Sequence, residues 1–144
     1  MATTSFLYHS MGIKGYRYLR CEYVGGVIRH HIRQRRHRRR CRGCGARWQE
    51  ITLAGQFERV YVGLPIVRRR QEIVLHGQLQ QCRRCGRRLR EPIAFAEGGR
   101  RYVRALAELV IYLCAKATIK DVSAMVGIGW DSVKEIYKSD LRKR

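Results

Sequence analysis

Apolar residues in the last third of the chain recur at three- and four-residue steps. Tyr102, Val103, Leu106, Leu109, Val110 and Leu113 fall on one face of a helix. Thr118 then stands at an N-cap position with Asp121 three residues later. That is a capping-box-like start to a short second helix carrying Val122, Met125 and Val126 as its apolar face. Gly127 follows, where a tight turn needs a residue tolerant of positive φ. A third helix is predicted from about Trp130, burying Val133, Ile136, Tyr137 and Leu141. Helix, short helix, glycine turn, helix is the helix-turn-helix outline. On pattern alone, a small helical bundle that only mediates contacts is the alternative.

The preceding residues follow a shorter period. Alternation at Tyr16, Tyr18 and Arg20, then Val27-Ile28 beyond Gly25-Gly26, predicts a β-hairpin. Further short strands are predicted over Arg47–Leu53, Phe57–Val62, Ile73–Leu75 and Leu89–Phe95, and Glu97-Gly98-Gly99 is a break. The expected fold class is therefore α+β: a β-rich unit over residues 1–97 and a three-helix unit over 98–144.

Charge decides what such a chain binds. Its 144 residues hold 31 Lys+Arg against 11 Asp+Glu, a formal net charge of +20, and 25 of the bases are arginine. Self-repulsion of this size points to a polyanionic partner. A hydrophobic content of 45% excludes a wholly disordered basic tail. No apolar run approaches the length of a membrane span. The opening MATTSFLYHS lacks the basic-then-apolar order of a signal peptide, which favours the cytoplasm.

Of six cysteines, four form two Cys-x-x-Cys pairs, CRGCG (Cys41–Gly45) and CRRCG (Cys82–Gly86). In a reducing compartment this pattern favours a metal over disulfides. Tetrahedral zinc takes four soft ligands, and each knuckle presents two thiolates. Cys41, Cys44, Cys82 and Cys85 are thus the expected ligands of one structural zinc per chain, in a β-rich zinc ribbon. The 37 residues between Cys44 and Cys82 exceed the usual spacing, and a β-hairpin or two would fill the gap. Four thiolates and one zinc contribute −2, so the polyanion argument survives. Cys21 and Cys114 read as buried hydrophobes. His30, His31 and His37 flank the basic run, either as substitute ligands or as polar contacts near a phosphate-binding surface.

RQRRHRRR (Arg33–Arg40) is the densest positive run, and Arg35, Arg36, Arg38, Arg39 and Arg40 are candidate phosphate contacts. A solvated basic face and an RNA-binding arm are the other readings of such a run. Arg68-Arg69-Arg70 and the arginines from Arg83 to Arg90 repeat the bias. Base readout falls to the start of the third helix, where Trp130, Asp131, Ser132, Lys134, Glu135 and Lys138 are left outside. Trp130 is read as packing across the turn as core, with a place against the sugar-phosphate backbone as the alternative.

These residues resemble the N-terminal part of insertion-sequence transposases of the ISL-three family. LYHSMGIKGYRYLRCEY (Leu7–Tyr23) is similar to the family's opening segment. CRGCG, Leu64-Pro65-Ile66 and CRRCG follow its ribbon in order, and YVRALAELV (Tyr102–Val110) its first helix. IKDVSAMVGIGWDSVKEI (Ile119–Ile136) is close to its helix-turn-helix motif. The resemblance covers nearly the whole chain. It implies a zinc ribbon ahead of a helix-turn-helix, with a DDE catalytic domain of RNase H-like fold beyond. The chain stops at Arg144, where that domain would begin, so none of its acidic residues is assigned to the triad.

The implied function is sequence-specific binding of duplex DNA at the terminal inverted repeats of an insertion element. Neither strand cleavage nor transfer is expected of this chain alone, and no small-molecule substrate. The expected location is the bacterial cytoplasm, with the nucleoid; self-association into a homodimer is left open. A stand-alone zinc-ribbon and helix-turn-helix transcriptional regulator is the alternative, as is a basic RNA-binding zinc-ribbon protein.

Overall fold

The structure is a computed structural model that describes residues 2–144. Helix α1 (Ala2–Met11) opens the chain, followed by strands β1 (Tyr16–Val24) and β2 (Val27–Gln34). Strands β3 (Ile51–Val62), β4 (Arg70–Cys82) and β5 (Arg88–Arg90) come next, then helices α2 (Arg104–Cys114), α3 (Ile119–Val126) and α4 (Trp130–Lys143). Among the described residues the fold is thus mixed, with one sheet and four helices. None of these helices is long and apolar enough to cross a membrane.

The sheet runs β1-β2-β4-β3, with β5 paired to β4. The expected β1–β2 hairpin closes on Gly25 and Gly26, at φ 59° and 79°. A two-residue turn of this type I′ class has positive φ at both centres, which glycine supplies without strain. Strands β2 and β4 are parallel, with Ile32 opposite Leu75. The crossover between them holds the basic run, the first cysteine knuckle and β3, so residues far apart in sequence become neighbours.

Strand β4 is longer than the apolar triplet Ile73–Leu75 predicts, because its polar residues find partners inside the sheet. Tyr18 donates to His30 Nδ1 (2.6 Å), His30 Nε2 to Gln71 Oε1 (2.7 Å), and Gln71 to the Leu64 carbonyl (2.8 Å). His31 donates through Nε2 to Glu22 (2.7 Å), leaving Nδ1 to pair with His76 Nε2 at 2.8 Å. A buried polar group is tolerated when its hydrogen bonds are made. Two predicted strands differ and one helix is new: the Arg47–Leu53 segment begins as a 3-10 turn at Trp48–Glu50, the Leu89–Phe95 segment is a strand only at Leu89-Arg90 within β5, and α1 has no predicted counterpart.

Helices and sheet share one apolar core. Leu7 and Met11 of α1, Ile32, Tyr61, Ile73 and Leu75 of the sheet, and Leu106, Val110, Val122, Val126, Val133 and Ile136 of α2–α4 belong to one buried cluster. The chain before α2 is tied to the end of β3, where Val62 accepts from the Val103 amide (2.9 Å) and donates to the Arg101 carbonyl (2.8 Å). Thr118 caps α3 as expected, its hydroxyl accepting from the Asp121 amide (3.1 Å) and donating to the Asp121 carboxylate (2.8 Å). Gly127 ends α3 in the left-handed conformation, φ 75°. Met125 and Leu141, expected inside, are exposed, because each falls at the edge of an apolar stripe whose centre is Val122–Val126 or Val133–Ile136.

Candidate metal centre and nucleic-acid interface

The two cysteine knuckles are built alike. In each, the amide of a glycine at φ 75° returns to the first cysteine's carbonyl: Gly45 to Cys41 (3.0 Å) and Gly86 to Cys82 (2.9 Å). The tight return aims further amides at sulfur. Gly43 and Cys44 donate to Cys41 Sγ (3.3 and 3.5 Å), and Cys85 to Cys82 Sγ (3.5 Å). Strands β3 and β4 bring the knuckles together, Ile51 standing opposite Cys82. Cys41 and Cys82 are buried beside Ala46 and Ile51 in a small second core.

The four sulfurs lie within 4.8 Å of one another, with Cys41–Cys85 at 3.5 Å and Cys44–Cys82 at 3.6 Å. Those separations are far beyond a disulfide bond, and all four cysteines are free. A tetrahedron with metal–sulfur bonds near 2.3 Å has edges of about 3.8 Å, so the donor set fits one metal ion. The Cys41 thiol is lowered to about 6, first by the Cys44 amide and then, against the cost of burial, by the Gly43 amide. Cys44 goes up to about 11: the Ala46 amide lowers it, but desolvation and the neighbouring thiols raise it more. A cation at the centre would hold all four as thiolates.

The basic run does not form a single stripe. It leaves β2 at Gln34 and turns through a 3-10 segment, Arg36–Arg38. Arg35, Arg36, Arg38 and Arg40 are exposed, whereas Arg39 is half-buried. The Arg36 guanidinium lies 5.1 Å over the Trp48 ring. Arg36, Arg39, Trp48, Gln49, Thr52 and Arg83 line an open cleft of about 660 Å³ beside the cysteine cluster. Trp48 was not among the sequence candidates. Its only signal is an aromatic residue shortly after the first knuckle, and the cleft exists because the fold brings Arg83, just after β4, to the same place as Arg36 and Arg39 of the basic run.

His30 and His31 are buried in the sheet and belong to its hydrogen-bond networks, so neither is a substitute ligand or a surface contact. His37 is exposed in the 3-10 turn. Cys21 is exposed rather than buried, at the solvent side of the edge strand β1.

At the start of α4, Trp130 is 48% exposed, which corrects its placement in the core. Val133 and Ile136 take the buried positions, and Trp130, about 60° round the helix from Val133 and about 120° from Ile136, falls at the edge of that stripe. The Lys134 ammonium sits 4.9 Å over the Trp130 ring. Asp131, Glu135 and Lys138 are exposed, Ser132 half-buried. The first turn of α4 therefore presents a polar and aromatic surface, while α2 and α3 hold its other side.

Residues 91–140 match the helix-turn-helix domain of transposase family ISL3. The matched stretch runs from Glu91 through α2 and α3 into the last turns of α4. It points to a DNA-binding transposase module in this part of the chain. Neither the curated proteins nor the solved structures yield a match.

Proposed function

We propose that this protein is the DNA-binding module of a transposase and that it recognises the terminal inverted repeats of an insertion element. The observation that carries the reading is the match of residues 91–140 to a transposase helix-turn-helix domain. In this reading residues 98–144 are the base-reading unit and 1–97 a zinc ribbon with a basic arm. Trp130, Asp131, Ser132, Lys134 and Lys138 face the major groove, where the first turns of a recognition helix meet base edges. Arg35, Arg36, Arg38, Arg39 and Arg40 hold the phosphate backbone, which gives affinity but no sequence preference. The net charge of +20 supports that division of labour.

Zinc is the metal this donor set favours. Four thiolates fill a tetrahedral site and leave no position for water or substrate, so the ion is structural and stabilises the two knuckles against each other. The test of the reading is Lys134→Ala, measured on a duplex enriched from a random pool and on an unrelated duplex. The preference for the enriched duplex should fall by about 1–3 kcal/mol, with non-specific affinity nearly intact. Equal weakening on both duplexes would make Lys134 a phosphate contact.

A further inference from the structure

Strands β3 and β4 are joined by a turn whose tip carries an energetic anomaly. Ile66 and Arg69 exchange both backbone hydrogen bonds, each 2.9 Å, which leaves Val67 and Arg68 as the centre of a two-residue hairpin. Val67 has φ 56° and is the one non-glycine residue with positive φ among those described. A β-branched side chain there is a genuine outlier, since the neighbouring backbone crowds it. The other two-residue hairpin in this sheet has glycine, Gly25-Gly26, wherever φ is positive. Val67 is also 90% exposed, so its side chain gains nothing from the fold in return for the strain. Strain kept without an internal benefit points outward.

The surroundings say toward what. Ile66 is 41% exposed, and Arg68 and Arg69 flank Val67 in solvent. The Arg69 guanidinium lies 5.3 Å over the ring of Tyr23 and donates to its hydroxyl. Tyr23 and Val24, at the tip of the β1–β2 hairpin, are 57% and 54% exposed. Two hairpin tips thus form one apolar knob rimmed by arginine. Arg70 anchors it, with Nε on Glu72 Oε2 (3.0 Å) and Nη1 on the carbonyl of Gly127 (2.7 Å). Gly127 is the turn between α3 and α4, three residues ahead of Trp130. Val67 is three residues from Arg70, a reach of about 10 Å at most.

We infer that the Val67 turn is a DNA wedge. It occupies the minor groove flanking the stretch that α4 reads, with Arg68 and Arg69 on the phosphates and Val67 pressed between base edges. Apolar side chains inserted this way unstack a base step, open the minor groove and kink the duplex away from the wedge, toward the major groove. Charge selects the occupant: an apolar tip set among arginines beside a DNA-reading helix matches a polyanion with stacked bases. The inference rests on the proposed role of α4, and the test keeps the two apart.

The experiment compares the full chain with its Val67→Gly variant, on duplexes enriched from a random pool by the wild-type protein. Glycine accepts the backbone conformation, so the variant should melt a few degrees higher, which removes misfolding as a cause of weaker binding. Its affinity should fall about tenfold, with protection of adenine N3 in the minor groove lost and protection of guanine N7 by α4 kept. Because no charge changes, the salt dependence should stay as it was. Arg68→Ala with Arg69→Ala should instead lower the log–log salt slope by about 1.8. Wild-type affinity and unchanged adenine N3 protection in Val67→Gly would overturn the wedge. If the enriched pool shows no consensus and no guanine N7 protection, the α4 reading fails. The wedge is then judged by whether Val67→Gly loses affinity for the pool, and equal binding rejects it.

Discussion

Phe57 of β3 stands directly opposite Gly77 of β4, and its ring occupies the space a side chain at 77 would need. Arg59 and Arg90 sit over the same ring at 5.6 and 5.1 Å. One aromatic therefore covers the waist of the strand that carries Cys82 at its end. A Cβ at Gly77 would lie 2.2–2.6 Å from Cζ, Cε2 and Cε1 of the ring, so the ring would have to swing away from Gly77 and from its place under Arg59 and Arg90. Gly77→Ala should cost about 1–3 kcal/mol in urea unfolding. Gly98→Ala, where an added Cβ meets nothing within 4 Å, is the control and should be close to neutral.

The cysteine cluster predicts a selective dependence on metal. Purified protein should carry one zinc per chain, and a chelator should lower its melting temperature, since the binding energy of a structural ion is folding energy. Cys82→Ser should lose the ion and much of the stability. Cys21→Ser, on an exposed edge-strand residue outside the cluster, should keep both. Metal retained at one per chain in Cys82→Ser would remove the cluster from consideration as the site.

The arginine run predicts a salt effect that the structure makes uneven. Neutralising the exposed Arg35, Arg36 and Arg38 should lower the slope of log K against log salt by about 2.7, roughly 0.9 for each lost phosphate contact. Binding to all duplexes should weaken alike. A slope that does not move would identify the run as a solvated face.

Glu91 predicts a pH dependence of stability. It is fully buried, its Oε1 accepts from the Gln78 amide (3.2 Å), and its Oε2 has no partner. Burial raises its carboxyl from 4.5 to about 7, with the Gln78 amide and the charge of Arg39 pulling the other way. The folded chain therefore holds this proton where the unfolded chain releases it. The stabilisation is complete below pH 4.5 and is lost as the pH rises through about 7, up to about 3 kcal/mol. Glu91→Gln should abolish this component, read as the difference between variant and wild type. Proton competition at the cysteines acts on both alike, and with the opposite sign. Parallel stability curves from pH 5 to 8 would show that Glu91 is ionised throughout.

What the sequence by itself determined about this protein was whatever depends on neighbours a few residues away. Apolar spacing marked α2, α3 and α4, Thr118 and Asp121 marked a cap, Gly127 a turn, and two Cys-x-x-Cys pairs a metal knuckle each, because helix faces, caps and knuckles close within one or two turns of chain. Tertiary structure decided what depends on partners some forty residues distant. Strand β4 looks too polar for an interior strand until His30 meets Gln71 and His31 meets His76 across the sheet. The parallel pairing of β2 with β4 likewise cannot be seen in either strand's own pattern. Trp130 reads as core by composition, yet it is exposed because Val133 and Ile136 set the rotation of α4 against α2 and α3. The place of the β3–β4 turn near the turn between α3 and α4 arises only when Arg70 of the sheet reaches the carbonyl of Gly127. Periodicity reports which side of an element is apolar, and only packing decides what that side, and the other one, will face.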